Sequence, residues 1–381
     1  MKHSQDGVNL FGALILVLTC AASHAGAHSP AIITIDVQGA GTAAGQGTLG
    51  FGVTPGGAVV GEYIDWAGAY HGFLRATDGA ITTFDSPGAG TGPGEGTQPE
   101  AINPEGAITG LYTDSTGLTH GFVRSPSGSF TTFDAPGAGI PAGIPCSPPI
   151  ICNNGTQAAG ISPLGVVSGQ YVDTNDVFHG FVRSRAGVLT SYDAPGAGTG
   201  GGQGTFVTFG DGINLFGVIV GGYGDSSGLF HGFVRTPDGA ITSFDPTRSV
   251  FTDPAGVNDE CVIAGLYAEA IGPYHSFIRF PTGQITTFNV SGAGTAAGQG
   301  TEAFAINDLG DIVGAYIDAN GVNHGFLRTP DGSITKFDVP GAGAGGGQGT
   351  VPFYTSLVNA ITGYYVDANG VSHGFLRLPT P

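Results

Sequence analysis

Short runs of alternating apolar and small or polar residues, four to a unit and each closed by a turn, recur along this chain. In the copy that shows the pattern best they cover residues 98–103, 107–114, 120–125 and 129–134, separated by Asn-Pro-Glu-Gly, Ser-Thr-Gly and Pro-Ser-Gly. Residues that accept tight or left-handed backbone angles make each separator a turn, and the period of two between them predicts strands. Four strands in about 49 residues are one blade of a β-propeller.

The third run carries the phrase His-Gly-Phe-hydrophobic-Arg, which occurs seven times (once with Ser276 for Gly), beginning at His71, His120, His179, His231, His275, His324 and His373. Successive histidines are 49, 59, 52, 44, 49 and 49 residues apart. A constant five-residue loop joins the second run to the third, which predicts that Asp114 faces His120, Tyr112 faces Phe122 and Gly110 faces Arg124. The chain's ends complement one another: residues 31–37 read as a lone fourth strand, and the last repeat stops after its third strand at 373–377. Joined, they complete a unit and remove exposed strand edges. The expected fold is therefore all-β, a seven-bladed β-propeller of four-stranded antiparallel blades over residues 28–381, closed by the N-terminal strand joining the C-terminal blade.

Composition changes this picture little. The 71 Gly and 24 Pro would suggest low complexity, but the strict period outweighs them. Only 10% of residues are charged, against roughly 25% in ordinary domains. The net charge of −18 makes nucleic acid an improbable partner. Residues 1–27 have the pattern of a secretory signal peptide: Lys2, an apolar run from Leu10 to Ala22 too short to span a membrane, and Ala25-Gly26-Ala27 as a cleavage site. The expectation is an exported monomer, extracellular or periplasmic, with no membrane span. In an oxidising compartment Cys146 and Cys152, which share a Pro-rich loop, would form a disulfide, and Cys261 would be a small buried residue of a strand.

The His-x-Phe phrase, preceded by Gly-x-Tyr-x-Asp and followed by Thr-Thr-Phe-Asp, resembles the bacterial extracellular repeat family called HAF. The similarity covers essentially the whole mature chain. It implies a secreted, propeller-like protein and brings no established activity.

Each repeated histidine follows an acid at the end of the second strand. The pairs are Asp65 and His71, Asp114 and His120, Asp173 and His179, Asp225 and His231, Glu269 and His275, Asp318 and His324, and Asp367 and His373. Seven equivalent copies argue for a structural role, a carboxylate-bonded imidazole tying strands together, rather than for catalysis or metal binding. The seven repeated arginines are read likewise, as packed stems. The Gly-rich connectors lack the Lys-Ser/Thr of a phosphate loop and read as turns between blades. His28, which cleavage would leave as the N-terminus, has no evident second pair of copper ligands.

A functional site in a repeat protein must break the repeat. Two connectors do so, one lengthened by residues 140–154 and one replaced by residues 246–253, and they are candidates for a partner surface. Near the expected axis Glu100, Asp211 and Glu302 begin first strands and could ring a channel mouth and hold a cation or other ligand. No nucleophile elbow, HExxH or paired CxxC occurs, and no cofactor is implied. These readings point to a non-enzymatic binding or scaffold protein for an extracellular glycan, polymer or protein. An extracellular polysaccharide hydrolase or lyase is the alternative reading, and a structural envelope or matrix component is a third.

Overall fold

The computed structural model describes residues 30–141 and 154–379. Residues 1–27, read above as a signal peptide, and His28, Cys146 and Cys152 lie outside them. The 28 described strands form one closed, propeller-like sheet system. Four strands follow in order in each antiparallel set. The first set is β2 (Gly47–Val53), β3 (Val59–Ile64), β4 (Tyr70–Arg75) and β5 (Ile81–Phe84). The second is β6 (Gly96–Ile102), β7 (Ile108–Thr113), β8 (Thr119–Arg124) and β9 (Phe130–Phe133). The third is β10 (Thr156–Ile161), β11 (Val167–Val172), β12 (Phe178–Arg183) and β13 (Leu189–Tyr192). The fourth is β14 (Gly204–Val207), β15 (Ile219–Gly224), β16 (Phe230–Arg235) and β17 (Ile241–Phe244). The fifth is β18 (Ser249–Val257), β19 (Ile263–Glu269), β20 (Tyr274–Arg279) and β21 (Ile285–Phe288). The sixth is β22 (Gly300–Ile306), β23 (Ile312–Ile317), β24 (Asn323–Arg328) and β25 (Ile334–Phe337). The last is β26 (Gly349–Thr355), β27 (Ile361–Val366) and β28 (Ser372–Arg377), and its fourth strand is β1 (Ile32–Ile35).

The two ends of the chain meet as their sequences require. Ile32 pairs with Arg377 and Ile35 with Gly374. Asp36 then accepts a 2.7 Å hydrogen bond from His373 Nδ1, the bond that a fourth-strand aspartate makes in other sets. Gly47 bridges in parallel to Ser372, linking the first set to the last. The same bridge links other neighbouring sets, as Tyr70 to Gly96. Glycine is needed there, because Gly96 has φ +118° and a Cβ would stand 2.0 Å from the Tyr70 carbonyl oxygen.

The core lies between neighbouring sets, as when sheets pack face to face. Phe122 is fully buried among Val60, Ile102, Ile108 and Tyr112, with Phe84 of the preceding set packed against them. The closing interface is built alike, from Ile35, Val37, Val53, Val59, Phe73 and Leu376. Repeated buried threonines fasten the crossovers: Thr97 Oγ1 accepts from Ser86 N at 2.8 Å, and Thr48 Oγ1 accepts from Val37 N at 3.1 Å. At the opposite end Asn214, Asn258 and Asn307 each donate from Nδ2 to a carbonyl in the next set's hairpin turn. Among the described residues no helix is long and apolar enough to cross a membrane.

The hairpin register differs from the expected one by two residues. Tyr112 faces His120, Gly110 faces Phe122 and Ile108 faces Arg124. The reason is Asp114, whose carboxylate caps the turn by accepting from the N–H groups of Thr116 and Leu118, at 2.8 and 3.0 Å, and so leaves the ladder. A slip of two keeps every side chain on its expected face. Tyrosine therefore stacks on histidine (ring centroids 4.8 Å apart for Tyr112 and His120), and glycine makes room for the buried phenylalanine. The arginines reach across to the previous set, with Arg124 over the Phe84 ring at 4.6 Å and Arg377 over Phe337 at 5.0 Å.

Two smaller expectations are corrected. Cys261 is half-buried and precedes β19 in a turn with φ +59°, where the Asn258 side chain caps the backbone. The replaced connector at 246–253 is drawn largely into β18, the longest strand, with Phe251 stacked on Phe230.

Candidate ligand-binding site

The histidines are tied by carboxylates on two sides. His120 Nδ1 is 2.8 Å from Asp134 and its Nε2 is 3.4 Å from Asp114; in other sets the Nδ1 bond is 2.7–3.0 Å and the Nε2 distance 3.4–3.9 Å. Exposure of about a fifth makes these imidazoles half-buried. The fifth set departs: His275 Nδ1 meets Asn289 Oδ1 at 2.9 Å, and Glu269 makes no ion pair with it, so the pairing expected of Glu269 is absent. Asn103, Asn214, Asn258 and Asn307 cap turns at the other end. These networks repeat and define no unique pocket.

The asymmetry sits at the centre, where first strands of neighbouring sets lie side by side: β2 with β6 and β26, and β22 with β18 and β26. Six of the seven first strands carry a β-bulge, at the fifth residue of β2, β6, β22 and β26, the fourth of β10 and the seventh of β18. The register jumps from Gly50 to Gly52, Pro99 to Ala101, Ala158 to Gly160, Pro254 to Gly256, Ala303 to Ala305 and Pro352 to Tyr354. A bulge leaves its extra residue outside the ladder and re-aims the side chain. The residues skipped are Phe51, Glu100, Ala159, Ala255, Phe304 and Phe353, three aromatic, two small and one acidic. A small residue follows every one of these bulges except the last, where Tyr354 stands, and allows close approach: a Cβ on Gly52 would stand 3.1 Å from Ile102, and one on Gly160 2.8 Å from the Gly210 carbonyl.

Five of those bulge residues, Phe51, Glu100, Ala255, Phe304 and Phe353, line one cavity of about 340 Å³, with Asp211, Asp253, Val207, Thr208, Phe209, Pro254, Leu266 and Tyr354. Its volume lies in the small-molecule range, and its wall is mostly apolar with a few carboxyl groups. Phe353 stands between Phe51 and Phe304, ring centroids 5.5 and 5.4 Å away.

Part of the wall comes from an insertion. From the glycine that opens the strand to the turn asparagine is seven positions in Gly96 to Asn103 and ten in Gly204 to Asn214, three more. The extra residues carry 208–212 across the axis. Gly210 N donates to Ala159 O at 2.9 Å, Val257 N donates to Asp211 O at 3.1 Å, and Thr208 Oγ1 donates to Pro254 O. Asp211 and Tyr354, joined by a hydrogen bond from the phenol, line this cavity and also a second one of about 180 Å³ on the far side. They form its floor.

Burial dominates the chemistry of the acids. It raises Glu100 to about 8, Asp211 to about 7, Asp253 to about 6 and Glu302 to about 7, with Asp308 pushing Asp211 and Asp253 pushing Glu302 further. Glu62, beside Glu100 on β3, is held well above the usual carboxylate range by burial and by Glu100. Carboxyl groups so placed both donate and accept hydrogen bonds near neutral pH.

Of the three acids singled out in the sequence, Glu100 and Asp211 share this cavity and Glu302 lies against Asp253 in its wall. Among the described residues no three His, Cys, Asp or Glu side chains are arranged to hold a metal ion, so the cation reading has no ligand set. Sequence reasoning missed Asp253, the phenylalanines and the insertion. The signal was present: 52 residues between His179 and His231 instead of 49, and first strands whose third and fifth positions vary between acidic, aromatic and small residues.

The fold and this central cavity define the protein as an all-β, closed, propeller-like molecule. No protein-family model matches the chain, and no curated protein matches it. Solved structures are similar. A lectin of Aleuria aurantia, as a point mutant in complex with Fucα1-6GlcNAc, aligns with TM-score 0.41 and 11% identity over 91% of this chain and 98% of that one. AofleA from Arthrobotrys oligospora aligns with TM-score 0.42 and 11% identity over 90% and 88%. Puromycin hydrolase aligns with TM-score 0.43 and 14% identity over 87% of this chain, which spans 53% of that one. The likeness is one of fold.

Proposed function

We propose that the protein is an exported, monomeric seven-bladed β-propeller of the HAF type that binds a glycan without transforming it, seating one sugar residue in the axial cavity. The observation that carries this reading is the convergence of Phe51, Phe304 and Phe353 with Glu100, Asp211 and Asp253 on one cavity. A sugar ring offers an apolar C–H face to aromatic rings and hydroxyl groups to carboxyls, and both surfaces are here. The residues concerned stand at positions where otherwise equal repeats differ, as a site built once in a repeat protein must. The cleavable segment 1–27 and the Cys146–Cys152 disulfide belong to the same reading of an exported protein.

Purified protein on a glycan array, followed by calorimetry of each hit, tests it. Phe353→Ala should weaken binding at least tenfold, about 1.4 kcal/mol, with melting within a few degrees of the wild type. Silence across all classes of glycan would end the carbohydrate reading. The alternative, a polysaccharide hydrolase, draws on Glu100 and Asp211, whose raised values suit a general acid at neutral pH. Release of shortened sugars from a bound glycan, detected by mass spectrometry, would replace binding by catalysis.

A further inference from the structure

A sugar in the axial cavity would meet acids and no base. Glu100, Asp211 and Asp253 are in the wall, Glu62 and Glu302 are coupled to them from behind, and no lysine, arginine or histidine lines the cavity. Two carboxyl oxygens lack a partner. Asp211 Oδ2 and Glu62 Oε2 are shielded from solvent and have no hydrogen-bond partner, and Glu62 as a whole is only 5% exposed. Buried polar atoms of folded proteins are almost always bonded, so the unbonded Asp211 Oδ2 in the cavity wall marks the place of an absent partner, with Glu62 behind Glu100. Beside them the faces of Phe51, Phe304 and Phe353 present the negative side of the ring quadrupole. Every feature of the wall favours positive charge.

We propose that the bound sugar carries a free amine: the cavity takes an amino sugar as its ammonium form, the charge directed to Glu100 and Asp211 and the ring's apolar face to Phe353. This rests on the glycan reading and narrows it. A neutral or N-acetylated sugar leaves the carboxyls holding their protons, whereas an ammonium group lets them ionise as a set. Groups facing the cluster from the surrounding strands are Glu62 and Tyr70 of the first set, Asp308 beside Asp211, Tyr354, and Tyr364 beside Glu302, none of them cationic. Entry of the ammonium ion therefore expels protons. They pass from the carboxyl groups to the buffer.

The experiment is isothermal calorimetry of the purified protein at pH 7 with a glucosamine tetramer and with its fully N-acetylated counterpart, each in two buffers of different ionisation enthalpy. The expected result is at least tenfold tighter binding of the free amine, with an enthalpy that depends on the buffer. In Glu100→Gln that preference should fall to threefold or less, with melting at pH 7 no lower than that of the wild type; if this variant does not fold, the wild-type comparison decides alone. Equal affinity for the two tetramers overturns the inference and leaves the glycan reading standing. Binding of neither tetramer, nor of any other arrayed glycan, removes both.

Discussion

Histidine in this protein works as a crosspiece. Each repeated imidazole but His275 sits between two aspartates and, in every set, against a tyrosine ring, joining the second, third and fourth strands of its set. His373→Ala removes one such hydrogen bond and one stack, so a loss of about 1–2 kcal/mol is expected from thermal or urea melts. The acid on the turn side is held low: Asp225 lies at about 2, first because of the Ser227 hydroxyl and then of backbone N–H groups and His231. Its contribution is present above the ordinary value of 3.8 and vanishes as pH falls toward 2. Burial pulls His231 down, yet Asp245 and Asp225 raise it on balance, so its share is complete below 6.5 and fades as pH climbs past the raised value. His231→Ala should accordingly lower the melting temperature more at pH 5 than at pH 9. The cavity acids have the opposite sign from Asp225. Between pH 4.5 and about 8 folded Glu100 retains a proton that the unfolded chain releases, so stability falls with rising pH across that window. Glu100→Gln should raise the melting temperature at pH 9 and leave it nearly unchanged at pH 4.

At the level of strands, most of the architecture was legible in the sequence because the same run of apolar and turn residues returns seven times. Strand number per unit, the join of residues 31–37 to 373–377 and the turn-forming glycines all follow from it. What could not be read was register, since Asp114 can either pair in the ladder or cap the turn, and only the competition between those hydrogen bonds settles it. The bulges were hidden for a related reason: an extra unpaired residue leaves the alternation of the strand nearly intact on both sides. Half of the site was therefore visible, Glu100, Asp211 and Glu302 as acids on first strands, whereas nothing in the strand pattern singled out Phe51, Phe304 and Phe353. Packing between sets offers a check on the fold. Phe122→Ala empties a fully buried site shared by two sets and should cost about 3–5 kcal/mol in chemical denaturation.

For the molecule as a whole, the ring depends on one short strand near its start. Residues 32–37 supply a fourth strand to the last set, Asp36 to His373, and Ile35 and Val37 to the interface with the first set. Removing residues 30–37 should lower the melting temperature by well over ten degrees and give oligomers on size-exclusion chromatography, because β28 becomes an open edge. Asp36→Ala should cost far less, about 1 kcal/mol, since the strand pairing remains.

The three extra residues of the fourth set give the disc a consequence that its symmetry would not. With residues 208–212 and Tyr354 across the bore, the axis is a cup and not a tunnel. A long polymer could not thread such an axis; only the tip of a chain would reach the cavity, and a guest would leave by the door it entered.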